Sequence, residues 1–138
     1  MAGFDVNIRL GDPSSEGIDP AKLTLSHHLT ERAEVRAEVM SGGHLLHLAV
    51  AGCLFNDILR EAGARGIGVT QLEVSADGGF EGDPLLSTGI GYSIQIGGDA
   101  PDEKLRKLVA DVEERAAIPL SIERGTRVTA GPVEIKPG

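Results

Sequence analysis

One stretch constrains this chain more than any other. From Gly43 to Gly63 the residues Leu45, Leu46, Leu48, Ala49, Val50, Ala51, Leu54, Phe55, Ile58 and Leu59 place apolar side chains on nearly every side of a helix. A helix that is apolar all round is a buried helix. Its C-terminal third turns amphipathic with Asn56, Asp57, Arg60 and Glu61, and Gly63 or Gly66 supplies a residue for a left-handed C-cap. At 138 residues the chain builds one core, so residues 1–138 read as a single domain. One sheet and one partner helix leave part of such a helix uncovered, and a homodimer that buries the remainder is expected.

The rest of the chain alternates. Phe4, Val6, Ile8 and Leu10 face one side of a first strand against Asp5, Asn7 and Arg9. A second strand carries Leu23, Leu25, His27 and Leu29 on one side. A third turns Ala33, Val35, Ala37 and Val39 inward and Arg32, Glu34, Arg36 and Glu38 outward. After the helix, strands are predicted at about Ile67 to Ala76 and Leu86 to Ile96, joined by the turn-rich segment Asp77 to Pro84. Asp99 is the expected N-cap of a second helix, with Pro101 near its first position and an apolar stripe of Leu105, Leu108, Val109, Val112 and Ala116 lying on a sheet. A turn at Arg124-Gly125 and a last strand from about Arg127 to Ile135 complete the order βββ-α-ββ-α-β. Strands in runs place the fold in the α+β class.

Charge and composition exclude several functions. A formal charge of −8 argues against a phosphate-rich partner, because nucleic-acid binding draws its affinity from Lys and Arg. No Trp, one Tyr and three Phe leave no base-stacking platform. No unbroken apolar run reaches the roughly 18 residues of a membrane span, and the start Met-Ala-Gly-Phe-Asp has neither a basic region nor an apolar signal segment. A cytoplasmic protein is expected. The single cysteine cannot form an internal disulfide and suits a reducing compartment.

The only catalytic lead is that cysteine, Cys53, inside the central helix. As a structural residue it is a small core hydrophobe. As a nucleophile it needs a nearby cation, because the helix N-terminus is remote and Asp57, one turn on, opposes a thiolate if it faces the same way. His44 and His47 stand at i, i+3 near the helix start. Read structurally, they line its first turns with one ring nitrogen satisfied by backbone or water. Read functionally, they join His27 around a metal. His28 is expected to face solvent. Gly97-Gly98-Asp99-Ala100-Pro101 is a turn and a cap, lacking the Lys-Ser or Lys-Thr of a P-loop. No cofactor motif is present, and no cofactor or metal is expected.

Two segments, Ser41-Gly42-Gly43-His44-Leu45-Leu46-His47-Leu48-Ala49-Val50-Ala51-Gly52-Cys53-Leu54-Phe55 and Ile118-Pro119-Leu120-Ser121-Ile122-Glu123-Arg124-Gly125-Thr126-Arg127-Val128, together resemble the OsmC/Ohr family of osmotic and oxidative stress proteins. The helical segment is similar to that family's central helix, ending in an Ala- or Gly-Cys pair. The later segment resembles its Cys-Pro-x-Ser stretch. The resemblance runs from about Thr24 to the end. It implies intertwined homodimers that reduce organic hydroperoxides or hydrogen peroxide, one cysteine becoming a sulfenic acid and the other resolving it.

Cys53 matches the helix cysteine of that pair. The other position, before Pro119, is Ile118, so no internal disulfide can close. The family's helix glutamate, ten residues before its cysteine, falls on Gly43. Its Gly-Gly-Arg context is absent, and Arg9 is a substitute without a motif match. The expectation is an OsmC-like dimer with an altered site around Cys53, with His44, His47, Ile118 and Arg9 as pocket candidates. It acts as a one-cysteine hydroperoxide reductase with an external thiol, or as a non-catalytic binder of a small apolar ligand.

Overall fold

Alternation produces the strands it predicts. In a computed structural model describing residues 3–11, 22–27, 29–37 and 41–137, β1 (Val6–Leu10), β2 (Lys22–His27) and β3 (Thr30–Arg36) precede helix α1 (Gly42–Ala64). Strands β4 (Val69–Glu81) and β5 (Leu86–Gly98) and helices α2 (Asp102–Glu113) and α3 (Ala117–Glu123) follow. The five strands form one sheet in the order β2-β3-β1-β4-β5, every neighbouring pair antiparallel. This is an α+β fold. The expected facing of His28, Glu38 and Val39, and of the β2 side chains, lies outside the described residues and side chains.

Helix α1 packs on β1 and β4. Val6 and Ile8 from β1, Leu72 and Val74 from β4, and Val50, Leu54, Phe55 and Ile58 from α1 share the core. The helix starts because the Ser41 hydroxyl accepts the His44 amide at 3.3 Å, and it stops at Gly66, whose φ is +68°. The Gly66 and Ile67 amides close back on Gly63 and Ala62 carbonyls, a Schellman arrangement. One helix of this length and hydropathy can in principle cross a membrane; here α1 is the core helix of the fold. Its far side is only partly covered: Leu45 is 54 % exposed and Ala49 is exposed.

Several expectations are corrected. Glu34, expected to face outward, is 1 % exposed, because β3 lies between β1 and β2 and Arg9 bonds its carboxylate at 3.0 Å. Strand β4 runs through Asp77-Gly78-Gly79 instead of turning there. Gly78 pairs with Ile90 and Phe80 with Ser87, the register shifting between them, and a Cβ at Gly78 would collide with the Gly89 carbonyl and the His47 ring. Pro101, not Asp99, is the N-cap of α2. Asp99 instead accepts the Gly68 amide at 2.6 Å, tying the end of β5 to the start of β4.

Of the second helix's apolar stripe, Leu105, Leu108, Val112 and Ala116 are buried and Val109 is partly buried, and α2 packs against α1 more than against the sheet. Arg65 at the end of α1 bonds Asp111 of α2 at 2.7 Å. That pairing, with Glu61 next, pushes the Arg65 guanidinium pKa up, and the Arg65 bond, with Lys107 adding to it, holds the Asp111 carboxyl below its ordinary range. Helix α3, not expected, follows directly. The strand expected from Arg127 to Ile135 does not form in the single chain: residues 126–137 carry no helix or strand and are exposed, and no strand among the described residues pairs with them to supply the hydrogen bonds a strand requires.

Candidate functional site

The thiol sits where α1 meets α3. Cys53 is half-buried, and its sulfur accepts the Ile118 amide at 3.5 Å. Residue 118 is in the first turn of α3, where an amide has no intrahelical acceptor, and Pro119 costs nothing there because its missing N–H would be unpaired in any case. One turn along α1, Asp57 faces the same way: its Oδ2 is 4.0 Å from the sulfur, and its Oδ1 accepts from Arg60 Nη1 at 2.8 Å. Among the described residues these are the sulfur's hydrogen-bond partners, and neither is a cation. An amide N–H favours negative charge on sulfur, and a carboxylate opposes it.

Beside this contact lies a cavity of about 330 Å³ between α1, β5 and α3, with Val50, Ile90, Tyr92, Pro119, Ile122 and Glu123 in its wall. Val50 precedes Cys53 by about one turn, and Pro119 follows Ile118. The wall is mostly apolar, with Glu123 its charged member. Tyr92 donates its hydroxyl to Glu113. Desolvation first, and then that carboxylate, push the Tyr92 phenol up to about 12, so it is a neutral group at physiological pH.

The other candidates lie elsewhere. His44 and His47 are nine and six residues before Cys53, about 13 Å and about 9 Å back along the helix axis. The His44 Nδ1 meets the Ser41 hydroxyl at 2.6 Å, and the His47 Nδ1 meets the Gly43 carbonyl at 2.6 Å. Phe4 stacks on the His47 ring with centroids 5.4 Å apart and meets His44 and Phe80 edge-on. The His47 Nε2 is buried with no hydrogen-bond partner among the described residues. This aromatic box packs the helix start to the sheet. At Gly43 a Cβ would overlap the Phe4 ring, so the place where the resemblance puts a glutamate is filled by an aromatic side chain.

Arg9 alternates with Ile8, whose side chain is in the α1-facing core, so it points to the other face of the sheet and pairs with Glu34. Of the sequence candidates, then, the structure brings Cys53 and Ile118 together and leaves His44, His47 and Arg9 apart from them. No three His, Cys, Asp or Glu side chains converge as metal ligands among the described residues. The Asp57–Arg60 pair and the Phe4–Phe80 box are the features least legible in the sequence. The i, i+4 spacing from Cys53 to Asp57 is the only signal that points to either.

Comparison with known proteins bears on this geometry. No curated protein matches the chain. It is similar in fold to an OsmC-like hydroperoxide resistance protein from Jannaschia sp. CCS1, with 14 % identity, 99 % of this chain and 96 % of that one covered, and a TM-score of 0.53. Residues 35–131 match the family model described as OsmC-like protein. That span runs from β3 past α3 and includes both Cys53 and Ile118, and on it the chain belongs to the OsmC-like family.

Proposed function

We propose that this chain is a one-cysteine hydroperoxide reductase of the stress-response type, with Cys53 as nucleophile. The observation that carries the reading is the contact of the Cys53 sulfur with the amide of residue 118, with an apolar cavity walled by the nearby Val50 and Pro119. The solved relative's description as a hydroperoxide resistance protein supports the same chemistry. In the reaction the sulfur attacks the distal peroxide oxygen. The O–O bond breaks, the alcohol leaves with the thiol's proton, and sulfur becomes a sulfenic acid. With Ile118 in place of a second thiol, resolution falls to an external thiol. It forms a mixed disulfide and releases water, and a second thiol equivalent then frees Cys53. The apolar wall suits an organic hydroperoxide with a hydrocarbon tail.

The test is stoichiometric oxidation with cumene hydroperoxide followed by mass analysis of the Cys53 peptide. The expected result is a gain of one oxygen atom that added thiol reverses. An unmodified Cys53 at saturating peroxide would end the enzyme reading. A second reading, a non-catalytic binder of an apolar molecule, is favoured by the Phe4 ring that fills the space over Gly43 and by the carboxylate beside the sulfur. For a binder, Cys53→Ser leaves the affinity for an apolar ligand unchanged.

A further inference from the structure

We infer that the cavity between the end of α1 and the end of α2 binds the reducing thiol, and that this thiol is a small molecule with an amino-acid head group. The inference rests on the one-cysteine reading above. The cavity has a volume of about 270 Å³, and Asp57, Arg60, Glu61, Arg65, Asp111 and Arg115 supply its charged wall. That volume is just under the roughly 300 Å³ at which sites for drug-sized ligands begin, so it suits a small molecule. Asp57 joins the cavity to the thiol: it lines the wall, and its Oδ2 is 4.0 Å from the Cys53 sulfur. Arg115 stands three residues before Ile118, whose amide meets the same sulfur.

Most of these charges satisfy one another. Arg60 bonds Asp57 at 2.8 Å, and Arg65 bonds Glu61 at 3.1 Å and Asp111 at 2.7 Å. Two groups are left over. The Arg115 guanidinium has no ion-pair or hydrogen-bond partner among the described residues, and Glu61 engages Arg65 through Oε1 alone, leaving Oε2 open. A guanidinium takes a carboxylate in two parallel bonds, and an open carboxylate oxygen takes an ammonium. A thiol with a carboxylate alone would add negative charge to a wall whose charges already balance, in a chain of net charge −8; a zwitterion adds none. In the step served, the bound thiol's sulfur bonds the Cys53 sulfur of the sulfenic acid, the S–O bond breaks, and the hydroxyl leaves as water with the thiol's proton. A second thiol then forms a disulfide with the first and its proton passes to Cys53, so the two thiols together supply the two electrons.

The test follows the return of the Cys53 thiol by mass in protein first oxidised with one equivalent of cumene hydroperoxide. L-cysteine carries both head-group charges, cysteamine the ammonium alone and 2-mercaptoethanol neither. Arg115→Gln should slow the L-cysteine reaction about tenfold and leave the other two unchanged. Glu61→Gln, which can still accept from Arg65, should slow L-cysteine and cysteamine and leave 2-mercaptoethanol unchanged. Arg127→Gln removes the same charge outside the cavity and should alter none of the three. The same series on protein whose Cys53 carries a methyl disulfide, made with methyl methanethiosulfonate and read by loss of the methylthio group, uses no peroxide. A Cys53 that peroxide leaves unmodified would therefore end the peroxidase reading, while the methyl-disulfide series still decides the binding site. In either series, equal L-cysteine rates for the parent and Arg115→Gln, a loss shared by 2-mercaptoethanol, or an equal loss in Arg127→Gln would each overturn the proposal.

Discussion

Cys53 lies between two groups of opposite effect, the Ile118 amide and the Asp57 carboxylate. At 4.0 Å a carboxylate repels a thiolate by about 1 kcal/mol in water and more where solvent is excluded. Asp57→Asn is therefore expected to speed alkylation of Cys53 by iodoacetamide at pH 7 about threefold or more. An unchanged or slower rate would mean that Asp57 does not act on the sulfur. Tyr92 offers another measurement at this scale, because it is the only tyrosine and there is no tryptophan. Its phenol is raised from 10.0 to about 12. Below about pH 10 it is protonated in both the folded and the unfolded chain, and its contribution to stability is full. As pH rises from about 10 to about 12 the unfolded chain loses the proton while the folded chain keeps it, so stability falls. Absorbance titration of the folded protein should place the phenolate midpoint near 12 and lower in Glu113→Gln, and Tyr92→Phe should flatten the loss of stability across that window.

The elements follow local rules where local rules suffice. Ser41 begins α1 through one hydrogen bond, and Gly66 ends it in a left-handed conformation. In urea unfolding, Ser41→Ala should cost about 1 kcal/mol, and Gly66→Ala about 1 kcal/mol through its positive φ. Gly63→Ala, inside the helix with open space around a new Cβ, should instead stabilise by about 0.5 to 1 kcal/mol. Unchanged midpoints at all three would show that the caps do not set the ends of α1. Helix α3 escapes a pattern reading because its Ile118-Pro119 start resembles a breaker, although a proline in a first turn breaks no bond. Strand β4 outruns its predicted end because Gly78 and Gly79 read as a turn, whereas close approach of the Gly89 carbonyl and the His47 ring is what requires Gly78.

For the whole molecule, periodicity alone determined the α+β class, the buried central helix with its cysteine, the inward face of β1, and the apolar stripe of α2, because each depends on repeats of about two or 3.6 residues within one segment. The resemblance carried by Cys53 and the Ile118-Pro119 stretch paired two positions 65 apart in the chain. Only the tertiary structure decided the strand order, the packing of α2 on α1 and the burial of Glu34 beside Arg9. It also placed Phe4 over Gly43, Asp57 against the sulfur and residues 126–137 outside the body. These depend on which surfaces meet across long separations, and a local pattern records that a face is apolar without recording what covers it.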